Sequence, residues 1–591
     1  MKAISRKILR GLEISSGLVV GRISRHQSVA HASCHLGAAL LPDEEWSRFI
    51  TAQTQALEQI SLLLEEATTS GNSTELPAVL EGYEFLITDS VLLERIRELI
   101  FEQQFDARAA VQKSFAEVKS MINARAEGYL KDKSLDLNAC ENFLINSFEQ
   151  NQPEEDSHLK GRIIIVGHPS PQDVIRFHQA GVAAIISEYG SPLSHAAILA
   201  RSFNIPALFS VQGILDCTRN GQTAILDTSE KQIIVNPSRS EIRKAEARRA
   251  VDLLIHQKLR SKATSIARTK DGHRVFVNAN ADGAVDTRAL LASGAEGVGL
   301  LRTEFLHLSS EKMPTEQENT LFFKATSHAL APRWVTIRLL DAGGDKPFPA
   351  GHNYTAGPYG MRGIRFLLAE KNILQTQLAA IIKANTQGNL RVLIPFVTSV
   401  GEIRQVKLTA KSIWNELDAE ERTALHFPLI GAMIETPAAM MQLDHIRSEC
   451  DFVSIGSNDL TQHILCVERD SSVDSGQFSS FHPAVVRALA LIFEQRTRAE
   501  SGISLCGEIA SDPVATELLV GLGCRHFSVR MSAVPLIKEI IRNIDGAEAE
   551  QLAQAVLLMS SADEICHILT SRYESRFDYS LGRAGTRNRA G

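Results

Sequence analysis

Long apolar runs are missing from this 591-residue sequence. No uncharged stretch approaches the ~18 residues that cross a bilayer as a helix, which excludes a helical membrane span. Cysteine is sparse too: the chain has eight, with no CxxC pair and no regular spacing. That excludes a disulfide scaffold and points to free thiols in a reducing compartment. Charge of one sign does not dominate, with 62 Lys and Arg against 69 Asp and Glu, a net charge of −7. Nothing in that balance marks a nucleic-acid partner. The N-terminus scatters Lys2, Arg6, Lys7 and Arg10 and has no clean apolar stretch before a cleavage site, so it reads as mature cytoplasmic sequence. What is present is a globular composition, 44% hydrophobic and 22% charged. The length is too great for one core and implies about two to four domains.

Several segments differ in period. Residues 10–22, RGLEISSGLVVGR, read as a strand pair. From Asp43 to Phe148 the period is helical, with Trp46, Phe49, Ile50, Leu57, Ile60, Leu63 and Leu64 as an apolar stripe. Asp106 is a suitable N-cap for a helix over Ala107–Leu130. Residues 160–236 alternate short apolar runs (RIIIVGH, VAAIISE, IPALFS, TAILDT, QIIVN) with helical patterns, the mark of a small α/β unit. One charged helix follows, from Ser238 to about Ala263, and suits a linker. Beyond it come VFVNAN, GVGLLR, VTIRLLD, RVLIPF, PLIGAMIE, FVSIGSND, ISLCGE and HFSVR, each separated by room for a helix. Eight such units predict a (β/α)₈ barrel, with a doubly wound sheet as the alternative. The expected division is an α/β domain from 1–20 and 149–236, a helical subdomain at 21–148, a linker at 237–265, a barrel at 266–575 and a tail at 576–591.

In such barrels the chemistry sits at the C-terminal strand ends. Arg302, Asp341, Glu435, Asp459 and Cys506 fall there, with Arg338 just inside its strand and Lys346, Arg362 and Arg365 in a Gly-rich loop. Two carboxylates, Glu435 and Asp459, facing substrate oxygens suit Mg²⁺. Arg forks match phosphate and carboxylate. Strand-end ion pairs can be purely structural, but this many charged groups at one rim, among Gly-rich turns, fit a small phosphorylated acid better. A second site lies in the α/β unit, where SEYGSPLSHAAILARS puts His195 at a helix start. Ser194 or Ser191 can cap that helix, with Pro192 in its first turn and Ala196 and Ala197 leaving room beside the imidazole. The helix N-terminus favours a negative group there, and imidazole is a nucleophile. His195 is therefore a candidate phosphoryl carrier.

The motifs SHAAILARSFNIPA, GVGLLRTEF, IRLLDAGGDK, GMRGIR, MIETPAA, SIGSNDLTQHIL and SLCGEIASDP occur in that order over nearly the whole chain. In them the sequence resembles the phosphoenolpyruvate–protein phosphotransferases, Enzyme I of the bacterial sugar phosphotransferase system. Pyruvate phosphate dikinases and phosphoenolpyruvate synthases share the histidine and barrel motifs but need an ATP-binding domain. Here the residues ahead of the histidine unit hold no Gly-rich phosphate loop. The resemblance implies a swivelling phosphohistidine α/β domain, an inserted helical subdomain that docks the phosphocarrier HPr, a phosphoenolpyruvate-binding TIM barrel, and a homodimer through the barrel. It implies that His195 takes the phosphoryl group on its tele nitrogen and that Cys506 protonates the enolpyruvate carbon. Arg302, Arg338, Asn458 and Arg469 would hold phosphate oxygens, with Lys346 and Arg362 nearby. Glu435 and Asp459 would bind Mg²⁺. The other cysteines, Cys34, Cys140, Cys217, Cys450, Cys466, Cys524 and Cys566, read as structural.

The chain departs from the family pattern in three places. Tyr189–His195 (YGSPLSH) has Leu193 where a hydroxyl is usual and lacks an arginine. The segment YLKDKSLDLNACENFL lacks an Arg-Asp-Ile/Val pattern, and SVRMSAVPLIK carries Arg530 among small residues. A regulatory phosphorelay with the same active site is the alternative reading. A catalytically dead scaffold conflicts with the intact rim of Arg302, Arg338, Glu435, Asp459 and Cys506.

Overall fold

A computed structural model describes residues 6–26, 41–70, 82–84, 86–125, 140–141, 144–145, 147–148, 156–191, 194–203, 205–283, 285–304, 306, 313–343, 360–467, 479–495 and 502–577. The chain divides into two compact units, Met1–Val251 and Asp252–Gly591.

The first unit is built on an eight-stranded sheet. Its strands are β1 (Lys7–Arg10), β2 (Leu12–Ser15), β3 (Leu18–His26), β4 (Ile163–Val166), β5 (Ala184–Ser187), β6 (Ala207–Phe209), β7 (Thr223–Asp227) and β8 (Gln232–Val235). They run in the order β1-β8-β7-β3-β4-β5-β6-β2. The strand pair read from RGLEISSGLVVGR is not formed. β1 pairs with β8 and β2 with β6, at opposite edges, and β3 lies between β7 and β4. Tight packing accompanies this route. A Cβ on Gly11 would stand 2.5 Å from the Phe209 carbonyl oxygen, and one on Gly17 would stand 2.5 Å from Pro206 Cγ. β3 also continues to His26, beyond the residue 20 at which the helical segment was expected to begin.

β3 to β6 are parallel, and β4, β5 and β6 are buried on both faces, which is why those three read as unbroken apolar runs. Ile163, Ile165, Ala184, Ile186 and Leu208 fill one side. Ile164, Val166, Ile185, Ala207 and Phe209 fill the other, packed with residues of the helices Pro171–Gln179 and His195–Ser202. Each such isoleucine contributes roughly 1.5–3 kcal/mol on leaving water.

The crossover from β3 to β4 carries the helical segment. It contains Pro42–Ser70, Ser90–Phe101 and Ala107–Arg125. Asp106 caps the last of these by accepting the Ala109 N–H at 2.8 Å, as expected. The residues expected to extend that helix, 126–130, lie outside the described residues. Of the apolar stripe, Phe49 and Ile60 are fully buried and Trp46 and Leu57 partly so. Ile50, 40% exposed, falls off the buried face, because adjacent residues on a helix point about 100° apart. The side chains of Leu63 and Leu64 lie outside the described residues.

Ser238 and Glu241 cap the charged helix Arg239–Ser261 reciprocally, with N···O contacts of 3.2 and 2.8 Å. The division between the units falls within it.

The second unit is a closed parallel barrel of β9 (Phe276–Asp282), β10 (Val298–Arg302), β11 (Val335–Arg338), β12 (Leu390–Ile394), β13 (Leu429–Ile434), β14 (Phe452–Gly456), β15 (Ile503–Cys506) and β16 (His526–Arg530). β16 closes on β9 with His526 opposite Phe276. All eight expected strands are present, in chain order around the barrel. No helix among the described residues is long and apolar enough to cross a membrane. Cys140, Cys217, Cys450, Cys466, Cys506, Cys524 and Cys566 are free, and Cys34 lies outside the described residues.

One buried cation has a measurable consequence. Lys538, on the helix Val534–Asn543, is buried and donates to the Gly294 carbonyl at 2.9 Å. Burial pushes its pKa down from 10.5 to about 8. Between those values the unfolded chain binds the extra proton, so folding stability rises with pH; below about pH 8 both states are charged and the penalty is constant. The native chain should therefore gain stability relative to Lys538→Met from pH 8 to 10, at about 1 kcal/mol per pH unit at the steepest. Urea unfolding of both proteins across that range measures the slope difference, and parallel profiles would refute it.

Candidate active site

Parallel strands deliver their C-terminal residues to one rim, and the barrel places there most of the residues expected of it. Arg338 is the last residue of β11, Arg302 of β10 and Cys506 of β15. Asp341 and Glu435 lie just beyond β11 and β13. Asn458 and Asp459, read as the end of a strand, instead stand in the first turn of the helix Ser457–Leu465, because β14 stops at Gly456.

The cations and carboxylates form one buried network. Arg338 donates to Glu304 and stands 3.4 Å from Asp341 Oδ2. Arg362, also buried, bonds both oxygens of Asp341 at 3.3 and 3.4 Å and donates to Asp459 Oδ1 at 2.7 Å. Burial opposes the charge on Arg338, yet Glu304, Asp341, Glu435 and Asp459 outweigh it and raise its pKa. Arg362 behaves likewise, through Asp341 and Asp459.

Glu435 is buried and accepts the Phe396 N–H on Oε1 at 2.6 Å. Its Oε2 is buried with no hydrogen-bond partner among the described residues. A Cβ on Gly456 would stand 2.7 Å from that oxygen, so glycine keeps the space beside it open. Burial, then the Asp459 and Asp341 charges, push the Glu435 pKa upward. A buried carboxylate oxygen left unpaired beside a second carboxylate, with open space next to it, fits a small hard cation. Among the described residues no cluster of three or more His, Cys, Asp or Glu could hold a metal, so such an ion would draw further ligands from water or substrate.

Cys506 is buried beside Leu300, Leu393 and Met433. Its thiol donates to the Ile455 carbonyl at 3.3 Å and accepts from Ser454 Oγ at 3.2 Å. Burial pushes its pKa to about 11, against the Ser454 hydrogen bond, so it holds its proton at neutral pH. The charges of Glu435, Arg338 and Arg302 all act on it, which ties four of the expected residues into one neighbourhood.

Two expected residues sit apart from the buried network. Arg302 is half-exposed and pairs with Asp282 at 3.1 Å. Asn458 pairs with Glu508 through its amide, at 3.3 and 2.9 Å. Lys346 and Arg469 lie outside the described residues. Sequence reasoning missed Glu304, Ser454 and Phe396. Phe396 has φ of 54°, a conformation costing a non-glycine residue about 1–3 kcal/mol, while it gives its N–H to Glu435 and lays its ring 4.8 Å from the Arg362 guanidinium. The one signal for Glu304 was its place two residues after Arg302.

In the first unit, Ser194 is the N-cap and His195 the first residue of the helix His195–Ser202. Ser194 Oγ accepts the Ala197 N–H at 3.3 Å and donates to the Ser191 carbonyl at 2.8 Å. Ser191 is thus the support of the cap rather than the cap. The helix begins three residues past Pro192, which lies outside the described residues with Leu193. The His195 side chain lies outside the described residues, so the room expected beside it from Ala196 and Ala197 is not described. Both are buried in the core, where small side chains let the helix sit close to the sheet.

An α/β unit with a histidine at a capped helix start, and a barrel whose rim gathers arginines, carboxylates and a protonated thiol, define a PEP-utilising enzyme. Family models agree segment by segment: "PEP-utilising enzyme, N-terminal" matches residues 10–133, the "mobile domain" 159–231 and the "PEP-binding domain" 256–546. The chain belongs to the phosphoenolpyruvate-protein phosphotransferase family. It is 32% identical to the member from Haemophilus influenzae over 89% of this chain and 92% of that one. It is 31% identical to the one from Borreliella burgdorferi over 88% and 91%. The Bacillus subtilis member is 27% identical over 94% and 98%.

Proposed function

We propose that this enzyme moves the phosphoryl group of phosphoenolpyruvate to its own His195 and from there to an HPr-type phosphocarrier, releasing pyruvate. The observation that carries the reading is the buried rim network, in which one Glu435 oxygen has no hydrogen-bond partner among the described residues while the charges of Asp459, Asp341, Arg338 and Arg362 act on its carboxylate. Arg338 and Arg362 bind the anionic groups of phosphoenolpyruvate, with Arg302, Asn458, Lys346 and Arg469 around them. Their forks match phosphate and carboxylate oxygens. Glu435 and Asp459 hold Mg²⁺, which when bound neutralises charge on the phosphate oxygens. Phosphorus leaves the enol oxygen as it bonds to the His195 imidazole. The enolate then takes the Cys506 proton at its methylene carbon, giving pyruvate and a thiolate that water reprotonates. The cytoplasmic location, the HPr-type carrier and a homodimer through the barrel rest on the family resemblance.

Incubation with radiolabelled phosphoenolpyruvate and Mg²⁺ should load the chain, and an added HPr-type carrier should unload it. A chain that stays unlabelled overturns the reading. Within it, Cys506→Ser should slow pyruvate release about a hundredfold, because a hydroxyl is a far weaker acid than a thiol and general acids contribute about that much. Coupled reduction of the released pyruvate measures it, and unchanged turnover would assign Cys506 to packing.

A further inference from the structure

The N-terminal mouth of the barrel, opposite the rim, holds an uncompensated cation. Arg391 is the second residue of β12, and its guanidinium stacks 3.7 Å from the Trp334 ring centroid and 5.5 Å from that of Phe452. Trp334 directly precedes β11, and Phe452 opens β14. The first residues of β16 and β9, His526 and Phe276, stack beside each other with centroids 4.7 Å apart. A Cβ on Gly431 would stand 2.6 Å from the Phe452 ring, so that glycine makes room for it. Trp334 is 41% and Phe276 38% exposed, which opens the cluster to solvent.

Arg391 has no hydrogen-bond or ion-pair partner among the described residues, and its Nε is buried. Burial alone acts on it, lowering its pKa to about 10. The carboxylates at this end serve other groups: Glu296 pairs with Arg274, and Asp451 accepts the Ile430 N–H at 2.7 Å. Burial, with Arg391 adding, pushes His526 to about 4, so it is neutral at pH 7. The mouth therefore presents the Arg391 guanidinium, without a carboxylate partner among the described residues, against aromatic rings.

We infer that this mouth binds a small monocarboxylate with an apolar or aromatic body, its carboxylate paired to the Arg391 guanidinium. The planar fork matches a carboxylate in two parallel hydrogen bonds. The rings of Trp334, Phe276 and Phe452 suit the apolar body. The single guanidinium stacked on Trp334 and Phe452 balances one negative charge, whereas dianionic phosphate would hold a second charge against aromatic walls. This site is separate from the one that acts on phosphoenolpyruvate and does not depend on that reading.

The probe is benzoate, titrated into the full chain at constant ionic strength while tryptophan emission is followed. The chain has three tryptophans, and Trp334 is the one stacked on Arg391. A saturable change in emission is expected, absent in Trp334→Phe. Arg391→Met should weaken it at least about tenfold, the scale of a lost charge-assisted pair. Arg391→Lys should retain part of it. Neither inorganic phosphate nor excess phosphoenolpyruvate should displace benzoate. The inference is overturned if no saturable change occurs, if Arg391→Met binds equally well, or if phosphoenolpyruvate displaces the probe, which would place it at the rim. Displacement by inorganic phosphate would overturn the monocarboxylate assignment. Should Arg391→Met fail to fold, Trp334→Phe and the two competitions decide the matter on folded protein.

Discussion

His195→Ala should abolish labelling of the chain by phosphoenolpyruvate while leaving the fold intact. The loss is complete because no other group stands in for a nucleophile that forms the covalent intermediate. The fold survives because Ser194, not the side chain at position 195, caps the helix, and alanine is the strongest helix former. The assay is acid-labile radiolabel after incubation with Mg²⁺, alongside circular dichroism of both proteins. A variant that labels as fast as the native chain would place the phosphoryl acceptor elsewhere.

Glu435→Gln is the second large effect. Glutamine has the same shape, and its carbonyl oxygen can still accept the Phe396 N–H, so the strand end keeps its geometry. What is lost is the charge on an oxygen that has no hydrogen-bond partner among the described residues. Two consequences are expected together: Mg²⁺ should bind more weakly by titration calorimetry, and the labelling rate should fall on the order of a hundred- to a thousandfold. The buried arginines should become less well compensated, since the Glu435 charge acts on both. Labelling at the native rate would remove Glu435 from the metal site and leave it as a structural counter-ion.

How much of this was legible beforehand depends on the range of the signal. The eight barrel strands were, because parallel strands covered on both faces read as plain apolar runs. The rim residues followed from the strand ends. The rest depended on partners far along the chain. LEIS and LVVGR read correctly as strands, but alternation says nothing of which strand each joins, and β2 pairs with residues 207–209. Glu304 was not singled out because its partner, Arg338, lies 34 residues further along the chain. FVSIGSND was carried too far as a strand because Ser, Asn and Asp also suit a helix start. Ala196 and Ala197 carry no sign of whether small size serves a ligand or close packing, and here it serves packing.

The strand order of the first unit governs when that unit can be completed on the ribosome. β1, made more than 200 residues before β8, finds its one strand partner among the described residues at 232–235. β3 likewise waits for residues 163–166 while the whole helical segment is synthesised between them. Nascent chains that end before residue 232 therefore leave β1 unpaired and one side of β7 open. Such unpaired strand edges join other chains readily. The helical segment, whose caps are local, is free to begin folding during that wait, although its apolar residues share a core with the sheet. Expression stalls or truncations inside β7 and β8 should accordingly yield aggregates enriched in N-terminal fragments, whereas chains reaching the helix Arg239–Ser261 have every strand of the sheet in hand.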